Sequence, residues 1–111
     1  MSYRLPHHKL EAYGVAMRLL EAVREARIRD SQLREQAMRA AKSACLNAAE
    51  GAGRVTRADK ARCFTIARGE ACEAAAGVEI AVAAGDADAS ALEAVLMHAD
   101  RFVAMTTPLI R

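Results

Sequence analysis

In the segment NAAEGAGR, Asn47 and Glu50 stand three residues apart in an alanine run, just ahead of Gly51 and Gly53. A polar amide, a carboxylate and two glycines are the materials of a phosphate loop, of half a catalytic pair, or of a helix end. The phosphate reading fails on pattern. GAG is not GxGxxG, it follows an expected helix and not a strand, and no GKS or GKT is present. A glycosidase-like pair needs two opposed carboxylates across a cleft, and nothing in the chain marks a cleft. The glycines read as a helix stop. Glu50 near a helix carboxyl end is unfavourable to the helix dipole unless a cation meets it. Arg68 is the expected partner, with Arg54 as an alternative. Glu73 lies five residues past Arg68, out of step with it, and is free to meet an arginine of another helix. Asn47, Glu50, Arg68 and Glu73 are therefore expected to form a structural polar network, with Glu50 and Arg68 paired between helices. No catalytic residue is assigned.

Other reactive side chains are scattered. Cys45, Cys63 and Cys72 are odd in number and lack CxxC spacing. They read as buried thiols of a reducing cytoplasm, not a disulfide frame. His7 and His8 sit near one end, and His98 lies two residues from Asp100, on a different face of its helix. HExxH and HxxxH are absent, and Ser43 and Thr65 have no histidine nearby in sequence. No metal and no cofactor are expected, and the chain reads as a non-enzyme.

The elements that carry these residues are read from apolar spacing. Leu10, Tyr13, Met17, Leu20 and Val23 mark an amphipathic first helix within residues 8–28. Gly14 inside it predicts close approach of a neighbouring helix. Asp30 and Ser31 offer caps for a second helix, whose face is Leu33, Ala37, Ala40, Ala41, Ala44 and Ala48. Met38, Cys45 and Leu46 give it a second apolar edge. Gly51 and Gly53 are expected to stop it. Thr56 with Asp59 has capping-box spacing for a third helix over about 57–84, with Cys63, Phe64, Ala67, Ala71, Ala74, Val78 and Ala81 inward. Gly69 and Gly77 within it predict close contacts. Gly85 is its C-cap glycine. Asp88 or Ser90 starts a fourth helix lined by Leu92, Val95, Leu96, Ala99, Phe102, Val103 and Thr106, and Pro108 closes it.

Short links between helices of this length predict one all-α domain over residues 1–111, an antiparallel up-down four-helix bundle. Composition agrees. Alanine supplies 27 of 111 residues, and the two prolines, Pro6 and Pro108, lie near the ends. No run of eighteen apolar residues suggests a membrane span, and no apolar stretch near the start suggests a secretory signal. A cytoplasmic location is expected. Residues 1–69 carry 14 Lys/Arg against 7 Asp/Glu, whereas residues 70–111 carry 2 against 7. Such a split suits head-to-tail contact between subunits, or a basic patch for nucleic acid. Arg34, Arg39, Lys42, Arg54, Arg57, Lys60 and Arg62 are the candidate phosphate contacts.

LREQAMRAAKSACLNAAEGAGR, followed by FTIARGEACEAAAGVEIA, carries a further pattern. It resembles the 23S rRNA intervening-sequence protein family, whose motif reads roughly Q-x-x-R-A-x-x-S-I-P-x-N-I-A-E-G and then I-A-R-G-S-x-x-E. Gln36, Arg39, Ala40, Ser43, Asn47, Ala49, Glu50 and Gly51 match the first block, and Ile66, Ala67, Arg68, Gly69 and Glu73 the second. Ala44 and Cys45 replace the isoleucine–proline pair, Ala48 an isoleucine and Glu70 a serine. The resemblance implies a four-helix bundle with no established enzymatic activity. It further implies a homo-oligomer, often a pentameric ring, and relatedness to retroelement accessory variability proteins that work with nucleic acid. Two functions follow as expectations: an oligomeric bundle that binds RNA, DNA or a ribonucleoprotein, or a scaffold for protein partners only. A small-ligand enzyme using Glu50 and Arg68 at a subunit junction is the weakest of the readings.

Overall fold

The computed structural model describes residues 3–111 and is all helical. After a 3₁₀ turn at Pro6–Lys9 come α1 (Glu11–Glu25), α2 (Ser31–Gly53), α3 (Arg57–Ala83) and α4 (Leu92–Ile110). A second 3₁₀ turn, Ala89–Ala91, leads into α4. Each helix packs on its sequence neighbour, and α1 closes the square against α4. Contact is most extensive between α2 and α3. At one end, Arg29 ties the α1–α2 link to the α3–α4 link. Its N–H donates to the Asp86 carbonyl (2.7 Å) and its guanidinium to the Gly85 carbonyl (2.8 Å). At the other end, Arg57 of α3 donates to the Arg111 carbonyl beyond α4 (Nε, 3.1 Å). This is the up-down four-helix bundle expected from the sequence. No helix among the described residues is long and apolar enough to cross a membrane.

Local chemistry explains three of the helix boundaries. The Asp30 carboxylate accepts the Leu33 N–H (2.8 Å) at the start of α2, and the Thr56 hydroxyl accepts the Asp59 N–H (3.1 Å) at the start of α3. The end of α3 is a Schellman turn. Gly85 sits at φ +82°, its N–H meets the Val82 carbonyl and the Asp86 N–H meets the Ala81 carbonyl. α2 runs unbroken through Ala44 and Cys45, where the family motif has its proline.

The core has two textures. Ala37, Ala40, Ala41, Ala44 and Ala48 of α2 and Ala67, Ala71, Ala74 and Ala81 of α3 are fully or almost fully buried. Phe102, Leu19, Ile28, Val15, Val23, Val78 and Val95 provide most of the bulk. Small side chains let α2 and α3 approach closely, and the longer ones fill the space nearer α1 and α4.

Several expectations are corrected. The buried side of α1 is Ala12, Val15, Ala16, Leu19 and Val23. Leu10, Tyr13 and Leu20 lie at its edges and Met17 is exposed, so the face is turned by about one residue from the one read in sequence. Gly14 meets no neighbouring helix, since its nearest side-chain atom is Arg18 Nη1 of the same helix. Gly69 faces open space, whereas Gly77 does make its expected contact, with Ala37. Gly51 does not stop α2. It lies inside the helix, where a Cβ would come within 2.8 Å of the Phe64 ring. Pro108 also lies inside its helix, which continues to Ile110. A proline in the last turn forfeits only one backbone bond. Cys45 and Cys63 are buried, but Cys72 is exposed.

Candidate nucleic-acid interface and the motif residues

The motif positions on α2 follow helical spacing, so Gln36, Arg39, Ser43, Asn47 and Glu50 run as a stripe along its outer side. Arg39 bridges to α3, with its guanidinium 2.6 Å from the Glu73 carboxylate and 3.4 Å from that of Glu70. Glu73 thus meets an arginine of another helix, as its place in the sequence allowed. Asn47 turns back on α2, donating from Nδ2 to the Ser43 carbonyl (2.9 Å) and hydroxyl (3.1 Å). Glu50 pairs with Arg54, one turn on. Arg68 donates from Nε to the Thr107 hydroxyl of α4 (3.3 Å), which itself donates to the Val103 carbonyl (2.7 Å).

The expected Glu50–Arg68 pair is therefore not made, and the four polar residues do not join into one network. Arg54 follows Glu50 at i, i+4, the favourable order for an acid–base pair on a helix. Its guanidinium holds the Glu50 carboxyl below the usual carboxylate range, and Glu50 in turn raises Arg54. The same cation offsets the helix dipole at the α2 end, which answers why a glutamate is tolerated there. Lys60 reaches back from α3 to cap the last turn, donating to the carbonyls of Gly51 (3.3 Å) and Ala52 (3.0 Å). Chemically, NAAEGAGR is a capped helix end fitted around Phe64.

The seven basic candidates divide by what they touch. Arg39 and Arg54 are matched to carboxylates. Arg34 donates to the Ile28 carbonyl (2.9 Å), Arg57 to the Arg111 carbonyl, and Lys60 to the α2 end. A carbonyl tethers a cation without cancelling its charge. Lys42 and Arg62 are exposed and pair with no carboxylate among the described residues. Arg54, Arg57, Lys60 and Arg62 gather around the α2–α3 turn near Arg111, where the nearby acids are Glu50 and Asp59. Asp30, Asp86 and Asp88 sit in the links at the opposite end. Arg27 and Arg29 share those links with the three aspartates, and Arg29 lies 3.9 Å from the Asp88 carboxylate, so that end carries both signs.

Burial pushes the Cys45 thiol up to about 11, so it is an unreactive core group at neutral pH. Among the described residues, no group of three or more His, Cys, Asp or Glu side chains is placed to hold a metal ion. Thr107 carries no signal in the sequence, and Glu70 stands out there only as a departure from the motif. Both act across a helix pair, and a single sequence carries no signal for the register between helices.

The model of the 23S rRNA-intervening sequence protein family matches residues 8–107. No curated protein matches the chain.

Proposed function

The chain belongs to the 23S rRNA-intervening sequence protein family, and from that footing we propose a non-enzymatic, self-associating bundle that binds RNA through its basic end. One observation carries this reading: Lys60 and Arg62, beside Arg57, share the α2–α3 end of the bundle with no carboxylate partner among the described residues. Backbone phosphates would supply the missing counter-charge, with little reading of bases. Exposed aromatics are sparse, so stacking adds little. Duplex DNA, having the same phosphates, would bind similarly.

Fluorescence anisotropy with labelled RNA and duplex DNA at low salt tests the proposal. Both are expected to bind with Kd on the order of tens of micromolar or tighter, and to weaken together as salt rises. R57Q/R62Q is expected to lower the log–log salt slope by about 2. An intact assembly with no binding in that range would overturn the proposal.

A scaffold for protein partners is the second reading. It is favoured by the apolar side chains left outside, above all Leu46 at 70% exposure and Val55 at 92%. Assembly as a ring, with five subunits suggested by the family resemblance, is part of either reading, as is a cytoplasmic location. The unpaired cysteines are consistent with a reducing compartment.

A further inference from the structure

Beside the first turns of α1 lies an open concavity of about 420 Å³ whose lining includes His8, Lys9, Glu11, Gly14, Arg18 and Arg101. Three separate segments supply these groups: the first 3₁₀ turn, the first half of α1, and the middle of α4. Three permanent cations face a single carboxylate there. Among the described residues, none of Lys9, Arg18 and Arg101 forms an ion pair, in contrast with Arg39 and Arg54. Like charges gathered in a concave site repel one another and raise the local concentration of anions. Gly14 leaves the wall low at this point. A Cβ there would lie 3.7 Å from Arg18 Nη1, so the guanidinium lies close over the glycine backbone. His8 adds a donor. Its Nδ1 accepts the Leu5 N–H (3.0 Å), which leaves Nε2 to carry the proton of the neutral ring.

We propose that this concavity binds a phosphate monoester, held by the guanidinium groups of Arg18 and Arg101 with Lys9 and His8 as further donors. The planar fork of arginine suits phosphate oxygens, and two arginines from different helices fix the group from two sides. The volume suits a nucleotide-sized ligand. The ligand is then a free 5′-nucleotide or the 5′-phosphate at the end of an RNA. The site is built from residues other than Arg57, Lys60 and Arg62, so the inference does not rest on the function proposed above.

Isothermal titration with AMP, adenosine, and a short RNA bearing either a 5′-phosphate or a 5′-hydroxyl tests the assignment. AMP is expected to bind at one site per chain, at least about tenfold more tightly than adenosine. R18Q/R101Q should weaken AMP by about tenfold or more, whereas R57Q/R62Q should leave it unchanged. G14D keeps both arginines and adds a carboxylate beside them, so it should cause the same loss. A thermal melt of each variant separates loss of the site from loss of the fold. A 5′-phosphate preference in the RNA assigns the site to RNA ends, and a preference seen only with AMP assigns it to free nucleotides. AMP binding that is absent at millimolar concentration, no tighter than that of adenosine, or unaffected by R18Q/R101Q would overturn the proposal.

Discussion

A methyl group added at Gly51 would sit 2.8 Å from a Phe64 ring carbon, while one added at Gly14 would meet nothing closer than 3.7 Å. Both glycines lie inside helices, so both substitutions gain helix propensity. Only the first collides with a buried ring. G51A is therefore expected to destabilise the protein by about 1–3 kcal/mol through overpacking. G14A is expected to stabilise it by up to about 1 kcal/mol. Urea unfolding of the two variants compares them directly, and the same sign for both would refute the steric account of Gly51. The cysteines divide in a similar way. Cys72 is exposed, whereas Cys45 is buried with its thiol pushed up to about 11. A thiol reagent at pH 8 is expected to label Cys72 quickly, and Cys45 and Cys63 only after the protein unfolds. Rapid labelling of all three in the folded protein would contradict the burial.

The pairing of Glu50 with Arg54 predicts a pH effect confined to acid. The folded carboxyl titrates below its unfolded value, so its contribution is present above the usual carboxylate pKa and is lost as pH falls through the folded pKa. Native and E50Q proteins should show similar stability slopes from pH 7 to about pH 5. Below that, E50Q should lose stability less steeply, and added salt should shrink the difference because the pair is exposed. Thermal melts across this range check it. The Arg39 bridge between α2 and α3 is also solvent-exposed, and a double-mutant cycle of R39Q with E73Q should give a coupling of at most about 1 kcal/mol. Sequence revealed the parts of these elements that depend on neighbours along the chain: the Asp30 and Thr56 caps, the Gly85 turn and the alanine face of α2. The buried side of α1 was misread because alanines on one side compete with larger Leu10, Tyr13 and Met17 on the other. Which side is buried depends on the helices alongside. Gly51 was misread for a related reason, since its partner Phe64 is on another helix. The partners of Arg39 and Arg68 depend on interhelical register, which local spacing does not encode.

Taken as one body, the bundle gathers Arg54, Arg57, Lys60 and Arg62 at the α2–α3 end, and the links at the other mix three aspartates with Arg27 and Arg29. Its unmatched apolar side chains lie on more than one side. Leu46 of α2 and Ile80 of α3 are exposed, as is Met97 of α4 at 56%. Exposed apolar side chains on different helices would suit head-to-tail contact between unlike surfaces, which closes into a ring when the rotation permits. A two-fold dimer would instead use one patch twice. Light scattering on the native protein is expected to give a mass several times the 11.9 kDa of the chain, five times for the pentamer the family resemblance suggests. A mass of 11.9 kDa at all concentrations would end the assembly proposal. The head-to-tail geometry has its own test. L46D and M97D each place a charge on one of two unlike patches, and each alone is expected to yield monomers. Mixed together, they retain one intact pair of patches, Leu46 on one chain and Met97 on the other. The mixture should therefore form a dimer but go no further. A mixture that stays monomeric would show that these patches do not face each other, and single variants that remain full rings would place the contacts elsewhere on the bundle.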